Sequence, residues 1–543
     1  MKLITEIKLN PGFTNDDLLQ KICQHTNLSQ NEIVRYELVK LGIDARKKPN
    51  VFYVANVAVE VFNNAVLKLK NYKDYFPDHS GLEYKKIIIK ESPVVVGFGP
   101  SGMFCALALA KAGLKPIVLE QGKCVDERQK DVEDFWNNRN LNVYSNVQYG
   151  EGGAGTFSDG KLNTTLNNEY CKKVINELIL HGAPKDIFYK NKAHIGTDNL
   201  KLVVQKIREE IIKNGGKVVF NAHFFDFSLN NNQIYSVFYK NLVTGCVEEI
   251  STNNLILALG HSSFKTFEIL NKKGVNFRKK PFAIGVRIEH KQEVINKAQY
   301  GENYNKLLPP ADYKLVEHLP SKRSVFTFCM CPGGSIVASS SDEGCVVTNG
   351  MSNYLRNGKY ANSALLVNVN PEDFENDDLF AGFRLQKSIE HLAYDIAGKN
   401  HNAPAQFVGD FLAEKNNDDL YEKQVADGGF CNKNKAPICS YLPGITLCDI
   451  SKCFPDFITK SLRQAIVKFD QKLKGFADKY SLLIAPETRS SCPVQAIRNN
   501  NYECSFNGLY MCGEGAGYAG GIISSAVDGI KCAEAIIYGL LNK

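Results

Sequence analysis

The chain contains no CxxC pair and no cysteine–histidine spacing of the zinc-finger kind, although it holds 16 Cys in 543 residues. A chain of this length buries a large core without covalent staples, so scattered thiols read as free cysteines in a reducing compartment. No uncharged apolar run reaches the length of a bilayer span, and Lys2 and Glu6 interrupt the N-terminus too early for a signal peptide. The expectation is a cytoplasmic protein with no membrane contact. There is also no dense arginine run: the net charge of +7 is thin for 543 residues and rests mainly on Lys, which argues against nucleic acid as a partner. Arg46-Lys47-Lys48 is short enough to read as a solvated strand end. What remains is an ordinary globular composition, 44% hydrophobic and 23% charged, in a chain long enough for two or three domains.

The most informative stretch is Val94-Val95-Val96-Gly97-Phe98-Gly99-Pro100-Ser101-Gly102, followed by a run of small and apolar residues through Ala110. It reads as a buried strand, a glycine turn and a helix. Gly97 and Gly99 let the backbone turn tightly and approach a pyrophosphate. Gly102 lets the helix lie on the strand, with its first N–H groups facing the phosphates. A second strand, Ile117–Leu119, ends at Glu120, which stands where a carboxylate would reach the adenosine ribose. Five Gly fall between Gly150 and Gly160, flanked by Val147 and Phe157. Such density suits a backbone that itself contacts a ligand.

Before the glycine motif, residues 1–88 read as a small α+β unit: a strand near Leu3–Leu9, a helix opened by Thr14 with Asp17 three residues on, strands around Val51–Val61, and a linker over 71–80. After it come an amphipathic helix over Leu200–Asn214, short strands, and the apolar run Leu255–Leu259 closing on Gly260-His261. From about residue 279 the pattern alternates like an antiparallel sheet, with strands at Ala283–Glu289, Ser324–Cys329, Ser335–Ser339, Cys345–Thr348 and Ala364–Val369. Then Gly508–Ile522 repeats the theme of strand, acid and glycine turn, and a small-residue helix runs to Leu541. The expected architecture is α/β. A discontinuous Rossmann-like dinucleotide domain (89–275 and 486–543) carries an inserted, largely antiparallel β domain (276–485), and the small α+β domain (1–88) precedes them.

These motifs together resemble the two-dinucleotide-domain-type flavoproteins, and more narrowly the bacterial family of uncharacterised FAD-dependent dehydrogenases related to the HI0933-like flavoproteins. The stretches that carry the resemblance are VVVGFGPSGMF, NVQYGEGGAGTFSDGKL, KPFAIGVRIEHKQ, TFCMCPGGSIVASS, APAQFVGDFL and GEGAGYAGGIISSAVDGIKCAEA. The resemblance implies FAD as cofactor. Its ADP half would lie at Gly97, Gly99, Pro100, Ser101, Gly102 and Glu120. Gly152, Gly153, Ala154, Gly155, Thr156 and Lys161 would lie near pyrophosphate and flavin. Gly260, Gly513, Glu514, Gly520, Gly521 and Ile522 complete the set, with Glu514 where related flavoproteins place Asp against ribitol. The family supplies no agreed substrate.

A flavin performs hydride and electron chemistry itself, so the sequence needs no catalytic dyad. The expected activity is that of a FAD-dependent oxidoreductase acting on a small molecule between flavin and inserted domain. Lys161, Arg287, Arg489 and His261 are the candidates for tuning or anchoring. No second GxGxxG appears in strand context, so NAD(P)H enters only as a transient electron donor. No His or Cys lies inside the glycine loops, which points to non-covalent FAD. The alternative is a structural FAD in an RNA-modification or nucleic-acid-binding partner. Cys329-Met330-Cys331 reads as a regular strand with both thiols on one face, packing in the core rather than forming a redox pair.

Overall fold

The computed structural model describes residues 1–62, 72–166, 168–374, 377–414 and 439–542. Its central feature is a five-stranded parallel sheet in the order Leu509–Met511, Leu255–Leu257, Val94–Val96, Ile117–Leu119, Lys217–Val219. Strands so far apart in sequence meet because the central ones are short runs buried on both faces, as parallel strands covered on two sides require, while the edge strand Lys217–Val219 is only partly buried. Val95, Val118 and Ile256 point toward the helices Pro100–Lys111 and Ile522–Leu541. Val94, Val96, Leu119, Leu255 and Leu257 point the other way, into a cluster with Phe224, Phe227 and Phe267. An antiparallel three-stranded meander, Ala222–Asn230, Gln233–Asn241 and Val247–Ser251, supplies part of that second layer.

Between Leu255–Leu257 and Leu509–Met511 the chain builds a seven-stranded sheet, in the order Val316–His318, Ser324–Cys331, Tyr360–Val369, Phe282–Lys291, Leu482–Glu487, Ala403–Phe407, Ile445–Leu447. Its pairings are antiparallel except the last, which is parallel. Helix Asp456–Lys472 packs its buried face (Ile458, Leu462, Ala465, Ile466, Phe469) in the same core. The chain thus leaves the parallel sheet and returns to it.

At the N-terminus a four-stranded sheet packs on helix Asn15–Thr26, whose first turn Thr14 and Asp17 close with a reciprocal capping box. The expected linker over 71–80 is corrected in part: residue 71 lies outside the described residues, and Lys73–Asp74 pairs with Lys2 and Leu3 as an edge strand of that sheet. The strand expected at Cys345–Thr348 instead runs Thr348–Met351, because its partner Ser335–Ala338 pairs there. No helix among the described residues is long and apolar enough to cross a membrane.

Helices Pro100–Lys111 and Ile522–Leu541 cross so closely that a Cβ on Gly529 would stand 2.1 Å from the Ser101 carbonyl oxygen. That crossing positions the glycine turn. Gly529→Ala is expected to lose about 1–3 kcal/mol by forcing the helices apart. Gly539→Ala, in the same helix with nothing within 4 Å of its Cβ position, is expected to gain about 0.5–1 kcal/mol from helix propensity. Chemical denaturation of the two variants measures both.

Candidate functional site

The glycines of the first motif are imposed by the polypeptide itself. Gly97 has φ +93, and a Cβ there would meet the Ala258 carbonyl oxygen at 2.4 Å. A Cβ on Gly102 would lie 2.0 Å from the Gly97 carbonyl oxygen. Gly99 is different: the nearest atom to its Cβ position is Gly153 Cα, at an ordinary 3.7 Å. Pro100 opens the helix, and the N–H groups of Ser101 and Gly102 belong to its first turn, which has no intrahelical acceptors and the positive end of the dipole.

Glu120 is buried at the end of its strand. Its carboxylate accepts from the backbone N–H groups of Phe98 at 2.8 Å, Gly122 at 2.9 Å and Gly150 at 2.9 Å. One side chain therefore ties the first glycine turn to the glycine-rich loop. That loop forms a short helical turn, Gly153–Phe157, and Gly152 N–H donates to the Phe98 carbonyl at 2.8 Å. A Cβ on Gly153 would stand 2.9 Å from Gly99 Cα, so two backbones press together here. A Cβ on Gly155 would stand 3.5 Å from the side chain of Ile522, the first residue of the last helix.

Sequence reasoning missed Arg128, which holds the loop. It lies in helix Val125–Asn138, is fully buried, and donates to the carbonyls of Asn146 (2.8 Å), Val147 (2.9 Å), Glu151 (2.6 Å) and Gly153 (3.0 Å). Its guanidinium also sits 4.8 Å from the Phe157 ring centroid. Burial pulls its pKa down to about 10, with Glu120 and Glu151 opposing, so it stays charged at neutral pH. The sequence signal, an Arg among many charges on an amphipathic helix, is indistinguishable from a surface residue. Asp528 and Arg498 were missed likewise. Asp528 accepts from Gly513 N–H at 2.8 Å and pairs with Arg498 at 2.7 and 3.0 Å, fixing the last glycine turn.

Gly260 has φ +67 and open space beyond its Cβ position, while Gly515 backs directly onto its carbonyl. The next residue, His261, is buried; its Nδ1 lies 3.2 Å from Glu514 Oε1, and its Nε2 has no hydrogen-bond partner. Gly520 also faces open space. Lys161 ends the loop, half-buried, in an isolated bridge to His194.

The two candidate arginines are committed internally. Arg287 is fully buried, with contacts to Glu487 (2.7 and 3.0 Å), Asn362 Oδ1 (2.9 Å) and the Cys329 carbonyl (2.7 Å). Burial pushes the Glu487 pKa up to about 7 although Arg287 opposes it. Arg489 grips Glu390 at 2.8 and 3.0 Å and Asp342 at 3.2 Å. Arg489 nevertheless lines a cavity of about 210 Å³ that also takes in Gln121, Tyr149, His223, His261 and Ser263. Burial pushes the Tyr149 phenol up to about 12. A larger open groove, about 1220 Å³, lies beside Asn253, Asn254 and Gly508, at the amino ends of the parallel strands; no sequence-expected site residue lines it. Among the described residues no group of three or more His, Cys, Asp or Glu is arranged to hold a metal ion.

Replacing Arg128 by Leu is expected to leave several buried carbonyls unpaired and to cost at least ~3 kcal/mol. Differential scanning calorimetry checks it, and proteolysis should then cut first within 146–157.

Residues 281–490, which hold the seven-stranded sheet, match the model of the FAD-dependent protein C-terminal domain. Residues 1–60 match a domain of unknown function. An uncharacterised protein of Clostridium beijerinckii is 45% identical over 543 residues, covering 98% of each chain. Among solved structures, a flavin-dependent brominase is 12% identical with TM-score 0.36, covering 84% of this chain and 81% of its own. L-proline dehydrogenase from P. horikoshii is 10% identical with TM-score 0.34, over 83% and 94%. Quinol fumarate reductase of E. coli is 10% identical with TM-score 0.35, over 85% and 71%. All three scores are too low to transfer an activity. The full-length match is decisive: the chain belongs to one family with the C. beijerinckii protein, and its residues 281–490 carry the FAD-dependent protein C-terminal domain.

Proposed function

We propose that the protein is an oxidoreductase that binds FAD non-covalently and acts on a small molecule held between the flavin and the 276–485 segment. The observation that carries this reading is the convergence at the carboxyl ends of the parallel strands of the turn at Gly97–Gly102, Glu120, the loop Gly150–Phe157, Gly260-His261 and Gly513-Glu514. Ligands of open α/β sheets lie at the carboxyl ends of the strands. The chain is then a discontinuous Rossmann-like FAD domain with an inserted domain, akin to the HI0933-like flavoproteins.

The residues present fit the cofactor on two structural counts. Gly99, Gly260 and Gly520 leave space where a side chain would intrude. His261 Nε2 is a buried ring nitrogen without a partner. Ser101 and Gly102 would offer first-turn N–H groups to the pyrophosphate. Glu120, already accepting three N–H groups, would use its remaining lone pairs on ribose. Gly260 and Gly513 would let backbone approach the ribitol and ring, with His261 oriented by Glu514. FAD, when bound, supplies two-electron hydride chemistry. NAD(P)H is the transient donor in this reading, and the cytoplasm its place of work. The comparisons lend no support to the nucleic-acid alternative.

Gly99→Ala tests the assignment, since a methyl group there meets the polypeptide only at ordinary contact distance. The apoprotein is expected to keep its melting temperature while flavin retained through gel filtration falls at least tenfold, about 1.4 kcal/mol. Full flavin content in this variant would move the pyrophosphate elsewhere.

A further inference from the structure

Cys329 and Cys331 do not lie in a regular strand. The pairing of Ser324–Cys331 with Tyr360–Val369 slips between Phe328 and Cys331, where Phe328 faces Ala364 but Cys331 faces Asn362. Residues 329 and 330 therefore stand opposite a single residue, as in a β-bulge. Cys329 takes φ +40, a left-handed conformation rare for a residue with a side chain and characteristic of functional sites. The expected alternation fails accordingly: Met330 and Cys331 are consecutive and both buried, while Phe328 is exposed and Cys329 half-buried.

In a flat strand, side chains two apart are separated by about 6.5 Å along the chain, too far for a disulfide, whose Cβ atoms stand about 4 Å apart. The bulge removes that fixed spacing, and each of the two thiols shifts the titration of the other. Cations flank them. Arg287 Nη2 donates to the Cys329 carbonyl at 2.7 Å and lies 4.0 Å from Cys331 Sγ. Cys331 Sγ itself donates to that carbonyl at 3.3 Å. The neighbouring Cys331 thiol brings the Cys329 thiol down; Lys161 and Arg287 reinforce it, and burial and Asp159 oppose it. Cys331 is driven the other way, first by Cys329 and then by burial. Among the described cysteines with a shifted pKa, Cys329 alone is lowered. A half-buried thiolate beside a fully buried thiol is the arrangement of an attacking and a resolving cysteine.

We propose that Cys329 and Cys331 are a dithiol/disulfide redox couple that takes low-molecular-weight disulfides as its oxidant. The Cys329 thiolate attacks one sulfur of the substrate; a mixed disulfide forms, the substrate S–S bond breaks, and the first thiolate leaves. Cys329 is then no longer an anion, so the charge that held the Cys331 proton disappears. Cys331 gives up that proton and attacks Cys329 Sγ, closing the 329–331 bond and releasing the second thiolate, which is protonated. Two protein thiols are oxidised and one disulfide is reduced to two thiols. The proposal is independent of the FAD reading and extends it.

The test uses the full chain with glutathione disulfide as probe, quenched in acid and mapped by mass spectrometry. The tryptic peptide Ser324–Arg356, which also holds Cys345, should lose two hydrogens, with fragment ions placing the bond between 329 and 331 and Cys345 remaining open to alkylation. Cys331→Ser should accumulate glutathione on Cys329. The alkylation midpoint of Cys329 should lie well below that of an ordinary thiol, and Lys161→Met should move that midpoint upward. Absence of the 329–331 bond at every glutathione ratio, in protein with normal flavin content, overturns the proposal and leaves the FAD assignment standing. If Cys331→Ser does not fold, the wild-type peptide map decides alone.

Discussion

Backbone packed on backbone without intervening side chains is the constraint on which the rest of this structure depends. Gly97 lies against Ala258, Gly102 against Gly97, Gly153 against Gly99, Gly515 against Gly260 and Gly529 against Ser101. At each place a single methyl group would have to move main chain. The parallel strands can be as short as three residues because these contacts, rather than long ladders, fix the turns that follow them.

Such turns have few side chains of their own to hold them, and the protein supplies buried charges from outside. Arg128 gathers four carbonyls in and just before the glycine-rich loop, Glu120 gathers three N–H groups from three segments, and Asp528 fixes the turn at Gly513 with Arg498 behind it. Each buried charge is held by several hydrogen bonds, the condition under which its desolvation is offset. Arg287 with Glu487 and Arg489 with Glu390 follow the same rule in the seven-stranded sheet.

The parallel sheet was legible because its strands are apolar runs punctuated by glycine and acid, a pattern with little other use. The capping box at Thr14 was legible for the same local reason. What the sequence concealed lies in long-range pairing. Lys73–Asp74 looks like linker because two residues carry no period, yet it finds an edge at Lys2. The bulge at Cys329 is set by how the strand registers against Asn362 and Ala364, which no window around Cys329 contains. Arg128 and Arg287 resemble surface charges until their partners, distant in sequence, are brought in. Arg489, by contrast, stands both in an ion pair and on a cavity wall.

The central claim is that this end of the sheet holds a dinucleotide by its diphosphate and ribose. Calorimetric titration of flavin-stripped protein with FAD, repeated in the presence of ADP, tests it most directly. The account requires one FAD per chain, released intact by acid, and competition by ADP. No binding of FAD, or binding that ADP leaves unchanged, would contradict it.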